Sequence, residues 1–224
     1  TMAYDVYENP LCARYSGEGM KKLFSAETKF SYWRKLWVAL AESEKQLGLD
    51  ITDEQIAEMK AHVYDIDFDK AKDYEHKLRH DVMAHIRTYG DACPKAKGII
   101  HLGATSCFVG DNTDIIIMRE GLRLVKKLLV SCISAVSDFA EKYKSTPTLA
   151  YTHFQAAQPT TLGKRATLWI NDLLSDLEVL EFEEKCLKLL GCKGTTGTSA
   201  SFLELFDGDE QKVNKLEKLI AEKF

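Results

Sequence analysis

Apolar residues recur at helical steps in three stretches of the chain. Phe30, Trp33, Trp37, Leu40 and Leu47 follow steps of three, four and seven, which places them on one face of a helix that Gly48 would end. This pattern predicts a core stripe, not an aromatic ligand box. The second stretch, Ile115, Met118, Leu122, Val125, Leu129, Cys132, Val136, Phe139 and Tyr143, alternates steps of three and four. Asp111, Asn112 and Thr113 offer capping groups ahead of it, Lys142 and Lys144 suit the negative end of its dipole, and Thr146-Pro147 ends it. The third stretch is Leu162, Ala166, Trp169, Leu173, Leu177, Leu180, Leu187 and Leu190, with Pro159 and Thr160 at its start and Gly191 at its stop. A shorter pattern, Val213, Leu216 and Ile220, follows and reads as the beginning of a third long helix.

Two consecutive long helices with no strand-like alternation nearby predict an all-α fold. It would comprise an N-terminal helical domain and the first long helices of an elongated helix bundle. The change from shorter helices and loops to long helices near Gly110 places a domain boundary there. Residues 1–110 would form the N-terminal helical domain and residues 111–224 an incomplete central bundle.

Composition narrows the function classes. With 224 residues and 45% apolar content, the chain can bury a substantial core. A formal net charge of -4 argues against a general nucleic-acid binder but leaves room for a local cationic pocket. The cysteines (Cys12, Cys93, Cys107, Cys132, Cys186 and Cys192) form no C-x-x-C pair, which predicts free thiols in a reducing compartment. The N-terminus lacks a basic segment followed by an apolar one, and Thr1 ahead of Met2 reads as an added residue. No run approaches the roughly 18 apolar residues of a membrane span. A cytoplasmic protein with no membrane partner is expected.

Four polar segments could carry chemistry. In Ala13-Arg14-Tyr15-Ser16-Gly17, an arginine beside a tyrosine suits a phosphate, although a surface arginine is the plainer reading. In Leu78-Arg79-His80-Asp81-Val82-Met83, Arg79 and His80 could meet an anion and Asp81 a hydroxyl. His76 and His80 have i, i+4 spacing, but there is no H-E-x-x-H pattern and no third ligand, so no metal is expected. In His101-Leu102-Gly103-Ala104-Thr105-Ser106, hydroxyl and backbone donors in a glycine-flanked turn suit a carboxylate; the cap of the following helix is the alternative. The fourth segment, Tyr151 to Arg165, sets His153 between polar donors in a loop entering a long helix. There it could transfer a proton or serve as a structural histidine.

In this order and spacing, the four segments resemble the conserved regions of the fumarase/aspartase superfamily. Arg79-His80-Asp81-Val82-Met83 and His101 to Ser106 are similar to the adenylosuccinate lyase branch. Lys193-Gly194-Thr195-Thr196-Gly197-Thr198 adds a likeness to its animal members. The resemblance implies an all-α homotetramer, without metal or organic cofactor, that releases fumarate from the nucleotide substrates adenylosuccinate and SAICAR. It implies that Arg14, Tyr15 and His80 meet the nucleotide phosphate, with Arg79 and Asp81 beside them. Thr105 and Ser106 would hold the succinyl carboxylates, and His153 would be the general acid. Lys193 to Thr198 lacks the spacing of a phosphate loop. The family's base is a serine in a Met-Pro-Lys-containing loop that does not occur in these 224 residues, so the chain alone is expected to be inactive. Two other readings remain open: a silent helical chain that assembles with lyase subunits, and another fumarate-releasing lyase of the superfamily.

Overall fold

The computed structural model describes residue 7 and residues 9–224. The chain divides into two units, one formed by residues up to Met118 together with Leu189–Phe224, the other by Arg119–Lys188.

The first unit is built on α2 (Ala26–Gln46). Ser25 caps it by accepting the Thr28 N–H at 3.2 Å, and Gly48, at φ +98, turns the chain away after its end. Trp33, Leu36, Trp37 and Leu40 are buried, as the apolar stripe predicts. They meet Met59 of α3 (Asp53–Ala61) and Val82 and Tyr89 of α5 (Asp81–Ala92), while α1 (Glu18–Leu23) and α4 (Phe68–Leu78) complete this part of the chain. Each large side chain withdrawn from water contributes about 1.5–3 kcal/mol to the core.

The last two helices, α8 (Ala200–Leu205) and α9 (Glu210–Ala221), also belong to this unit. Phe202, Val213, Leu216 and Ile220 are buried in the same core as Trp37. The stretch expected to begin a third long helix is therefore a short amphipathic helix whose apolar face the first unit already covers. The proposed division at Gly110 also differs from the structure, because residues 189–224 return to the first unit.

Helix α6 (Ser106–Lys142) begins earlier than the capping pattern suggests. Asn112 and Thr113 are fully buried within it and do not cap it. The Asn112 side chain donates to Gly191 O at 3.0 Å and accepts the Gly191 N–H at 3.0 Å, a pairing across 79 positions of sequence. Its polarity serves a tertiary contact.

In the second unit, the rest of α6 is followed by a hairpin, β1 (Pro147–Thr152) and β2 (Gln155–Thr161), and by α7 (Leu162–Cys186). The expected loop around His153 is thus a two-stranded antiparallel sheet, with a bulge between Leu149 and Tyr151. Thr161 caps α7 by accepting the Lys164 N–H at 3.2 Å. Gly163 lets α7 start against the end of α6: a Cβ there would stand 2.3 Å from Ala140 O and 2.7 Å from Lys144 Cα. Ion pairs from Arg123 (2.7 Å) and Lys126 (2.5 Å) to Glu184 tie the other ends together. The long-helix stripes are partly uncovered, with Val125, Phe139 and Trp169 exposed, and Val179 and Phe182 of α7 are exposed beside them. Among the described residues, no helix is long and apolar enough to cross a membrane.

Candidate functional site

His80 organises the site in the first unit. Arg79 ends α4 in the left-handed conformation, at φ 54, which turns the backbone so that His80 caps α5. This turn also carries His80 off the helix of His76, so their spacing in sequence does not put them on one helical face. His80 Nδ1 accepts the Met83 N–H at 3.3 Å, and His80 Nε2 lies 3.2 Å from Ser106 Oγ. A nitrogen that accepts a backbone N–H carries no proton of its own, so the neutral ring bears its proton on Nε2 and donates it to Ser106. Asp81 Oδ1 lies 3.7 Å from His80 Nδ1 and accepts the Val82 N–H at 2.8 Å.

Ser106 opens α6, and Thr105 precedes it. Thr105 Oγ1 is buried and makes no hydrogen bond among the described residues. The turn from Lys193 to Thr198 packs beside it: a Cβ at Gly194 would touch Thr105 at 3.5 Å, and Cys107 Sγ stands 3.1 Å from Thr195 Oγ1. Lys193 Nζ donates to Ser199 Oγ at 2.9 Å and pairs with Glu217, so this lysine is engaged within the wall of the turn.

The remaining predicted residues are placed separately. Arg79 is exposed and lines a cleft of about 370 Å³ with Lys72, Glu75 and His76. Arg14 and Tyr15 end an exposed π-helical turn, Leu11–Tyr15, and no hydrogen bond joins them to His80 or Ser106. His153 belongs to the second unit, at the tip of the hairpin. Both turn residues, His153 (φ 48) and Phe154 (φ 61), hold the left-handed conformation that a two-residue hairpin of this kind requires. Non-glycine residues adopt it at a cost of about 1–3 kcal/mol each, a strain found most often at functional positions. Among the described residues, no group of three or more histidines, cysteines or carboxylates could hold a metal.

Two participants were not assigned from the sequence. Trp37, read only as core, donates its indole N–H to His101 Nδ1 at 2.8 Å. Burial, with a smaller contribution from His80, lowers the His101 pKa to about 4. A histidine opening the Leu102-Gly103 turn was the available signal.

The profile of a protein family described as "Lyase" matches residues 18–219. The chain belongs to this lyase family. It is 51% identical to the adenylosuccinate lyase of Saccharomyces cerevisiae over 98% of its length and 53% identical to that of Schizosaccharomyces pombe over 97%. It is also 49% identical to the Schistosoma mansoni enzyme over 98%. It spans 46% of the length of each of these relatives. Among solved structures, a fumarate lyase from Mesorhizobium (TM-score 0.76, 22% identity) covers 93% of the chain, which spans 48% of that protein. A 3-carboxy-cis,cis-muconate lactonizing enzyme from Pseudomonas putida (TM-score 0.77, 22% identity) covers 96%, again with 48% of its own length matched. At that identity the two structures speak for the fold alone.

Proposed function

We propose that this chain forms the first part of an adenylosuccinate lyase, which eliminates fumarate from adenylosuccinate to give AMP and from SAICAR to give AICAR. The observation that carries this reading is the identity of about half to three adenylosuccinate lyases over 97–98% of the chain. In the reaction, a base takes the proton next to a succinyl carboxylate. The released electron pair forms the carbon–carbon double bond as the carbon–nitrogen bond breaks, and the departing nitrogen gains a proton.

The residues fit these demands by chemical type. Negative charge builds on a carboxylate during proton removal, and fixed neutral or cationic donors lower that barrier. Thr105 and Ser106 supply hydroxyls for the succinyl carboxylates; His80, Arg14 and Tyr15 meet the phosphate, with Arg79 and Asp81 beside them. His153, on its strained turn, protonates the leaving nitrogen. The serine that acts as base in the family is not among these 224 residues, so they do not turn over substrate unaided. The exposed apolar side chains of α6 and α7 favour assembly with further copies, as in a homotetramer. We place the protein in the cytoplasm.

The test mixes this chain with a lyase subunit that carries the serine loop but is inactive by mutation of its own histidine. Fumarate release is then followed with adenylosuccinate, argininosuccinate and malate. Release from adenylosuccinate alone is expected. Release from another of the three in its place would assign a different lyase of the superfamily. No release from any would favour a silent assembling chain.

A further inference from the structure

Gly103 is the hinge of the turn that leads to Thr105 and Ser106. It stands at φ +65, and a Cβ there would lie 2.7 Å from Leu205 Cδ2 and 3.1 Å from Phe202 Cδ1. Conformation and the packing of α8 both favour glycine at this position. Glycine holds either hand of backbone conformation at little cost, so the peptide that follows it rotates more readily than its neighbours. That peptide leads into Thr105, whose carbonyl accepts the Phe108 N–H at 2.9 Å at the start of α6. Its rotation would redirect both hydroxyls.

The Gly103–Ala104 peptide is held at both ends. The Ala104 N–H donates to His101 O at 3.2 Å, a bond within the turn itself. Gly103 O accepts the Ser201 hydroxyl at 2.7 Å, across 98 positions of sequence. Ser201 lies in the first turn of α8. Its neighbour Phe202 is buried, with its ring centroid 6.2 Å from that of Phe108, so α8 is anchored on α6 beside the bond. The helix that leaves little room beside Gly103 also supplies the donor that restrains it. Alanine would serve the packing of α8 equally well, so packing alone does not account for a hydroxyl at position 201.

We propose that Ser201 is a positioning residue: its hydroxyl fixes the Gly103–Ala104 peptide, and through it the direction in which Thr105 and Ser106 meet an anionic group of the substrate. That the anion is a succinyl carboxylate rests on the lyase reading; the hold on the turn does not. The contact of Ser106 Oγ with His80 Nε2, at 3.2 Å, depends on the same direction.

Amide NMR of the 224-residue chain, with fumarate as a dicarboxylate probe, tests this. Fumarate should move the Thr105 and Ser106 amides of the wild type. In Ser201→Ala, the amides from Ala104 to Ser106 should broaden through exchange on the microsecond-to-millisecond scale. The fumarate Kd should rise about three- to tenfold, the loss of one hydrogen bond's hold. The Tm should fall by no more than about 4 °C. Ser201→Thr, which keeps a hydroxyl, should restore both the sharp amides and the Kd. A merely structural bond would lower the Tm and leave the Kd unchanged; that result, or a Ser201→Thr chain as loose as Ser201→Ala, overturns the proposal. If Ser201→Ala does not fold, Ser201→Cys takes its place as a weaker donor, and a Kd equal to that of the wild type overturns it. Fumarate that moves neither amide in the wild type also overturns the positioning role, while the lyase reading stays with the fumarate-release assay.

Discussion

Trp33, Trp37 and Leu40 in the first unit are each 1% exposed, whereas Val125 and Phe139 on α6 in the second are 42% and 37% exposed. Both sets follow the same helical period. In the first unit, α3, α5, α8 and α9 all supply side chains to the core that covers the stripe. In the second, many large apolar groups of α6 and α7 face solvent. The difference teaches that periodicity identifies the face of a helix that seeks cover, not whether its own chain supplies the cover.

The largest effect expected from this contrast is in the first core. Trp33→Ala should remove about 3–5 kcal/mol of stability, read from denaturant unfolding of the chain. A loss below about 1 kcal/mol would show that the α2 stripe is not the centre of the core.

The next effect concerns pH. Glu44 is fully buried, neither carboxylate oxygen has a hydrogen-bond partner among the described residues, and burial raises its pKa from 4.5 to about 9. The folded state holds this proton when the unfolded chain has released it, so stability falls as pH rises from 4.5 towards 9. His85 and His101 work in the opposite sense, since burial lowers each from 6.5 to about 4. Their contribution is present above pH 6.5 and is lost as pH falls towards 4. Between 4.5 and 6.5 the unfolded chain holds two histidine protons against one folded proton on Glu44, so stability rises; above 6.5 only Glu44 acts. The three groups together set a maximum near pH 6.5. Glu44→Gln should raise stability at pH 7 by on the order of 3 kcal/mol and flatten the alkaline limb of a melting-temperature profile.

In the second unit, tight packing is local. Gly163→Ala should cost about 1–3 kcal/mol, because the new methyl meets the backbone of Ala140 and Lys144 and no flexible side chain can yield. Circular dichroism melting of the variant checks this. The smallest effect is expected at Leu128, which is 64% exposed. Leu128→Ala should change the stability of the chain by no more than about 0.5 kcal/mol, yet weaken self-association in sedimentation velocity. A large loss of stability with association unchanged would contradict the comparison.

Much of this fold is legible from local pattern. The stripes on α2, α6 and α7 need only spacing, and Gly48 marks its turn by conformation. The hairpin is harder to read, because His153 and Phe154 occupy positive-φ positions that glycine or asparagine would have signalled. Asn112 resembles a cap because caps and tertiary anchors use the same polar groups, and its partner Gly191 is remote in sequence. The Val213, Leu216 and Ile220 stripe shows its apolar face but not that the first unit covers it. Among the candidate residues, the types and order of Arg79, His80, Thr105, Ser106 and His153 in the sequence suggest the chemistry. The Trp37–His101 bond depends on where an indole points, and that is decided only when α2 packs against the 101–105 turn.

The central claim is that this chain brings the general acid and part of the anion site of a lyase. Its most direct measurement is fumarate release from adenylosuccinate in the mixture with the histidine-deficient, serine-bearing subunit, comparing the wild-type chain with His153→Ala. Activity with the wild-type chain and its loss with the variant are predicted. Equal activity with both chains would contradict the account.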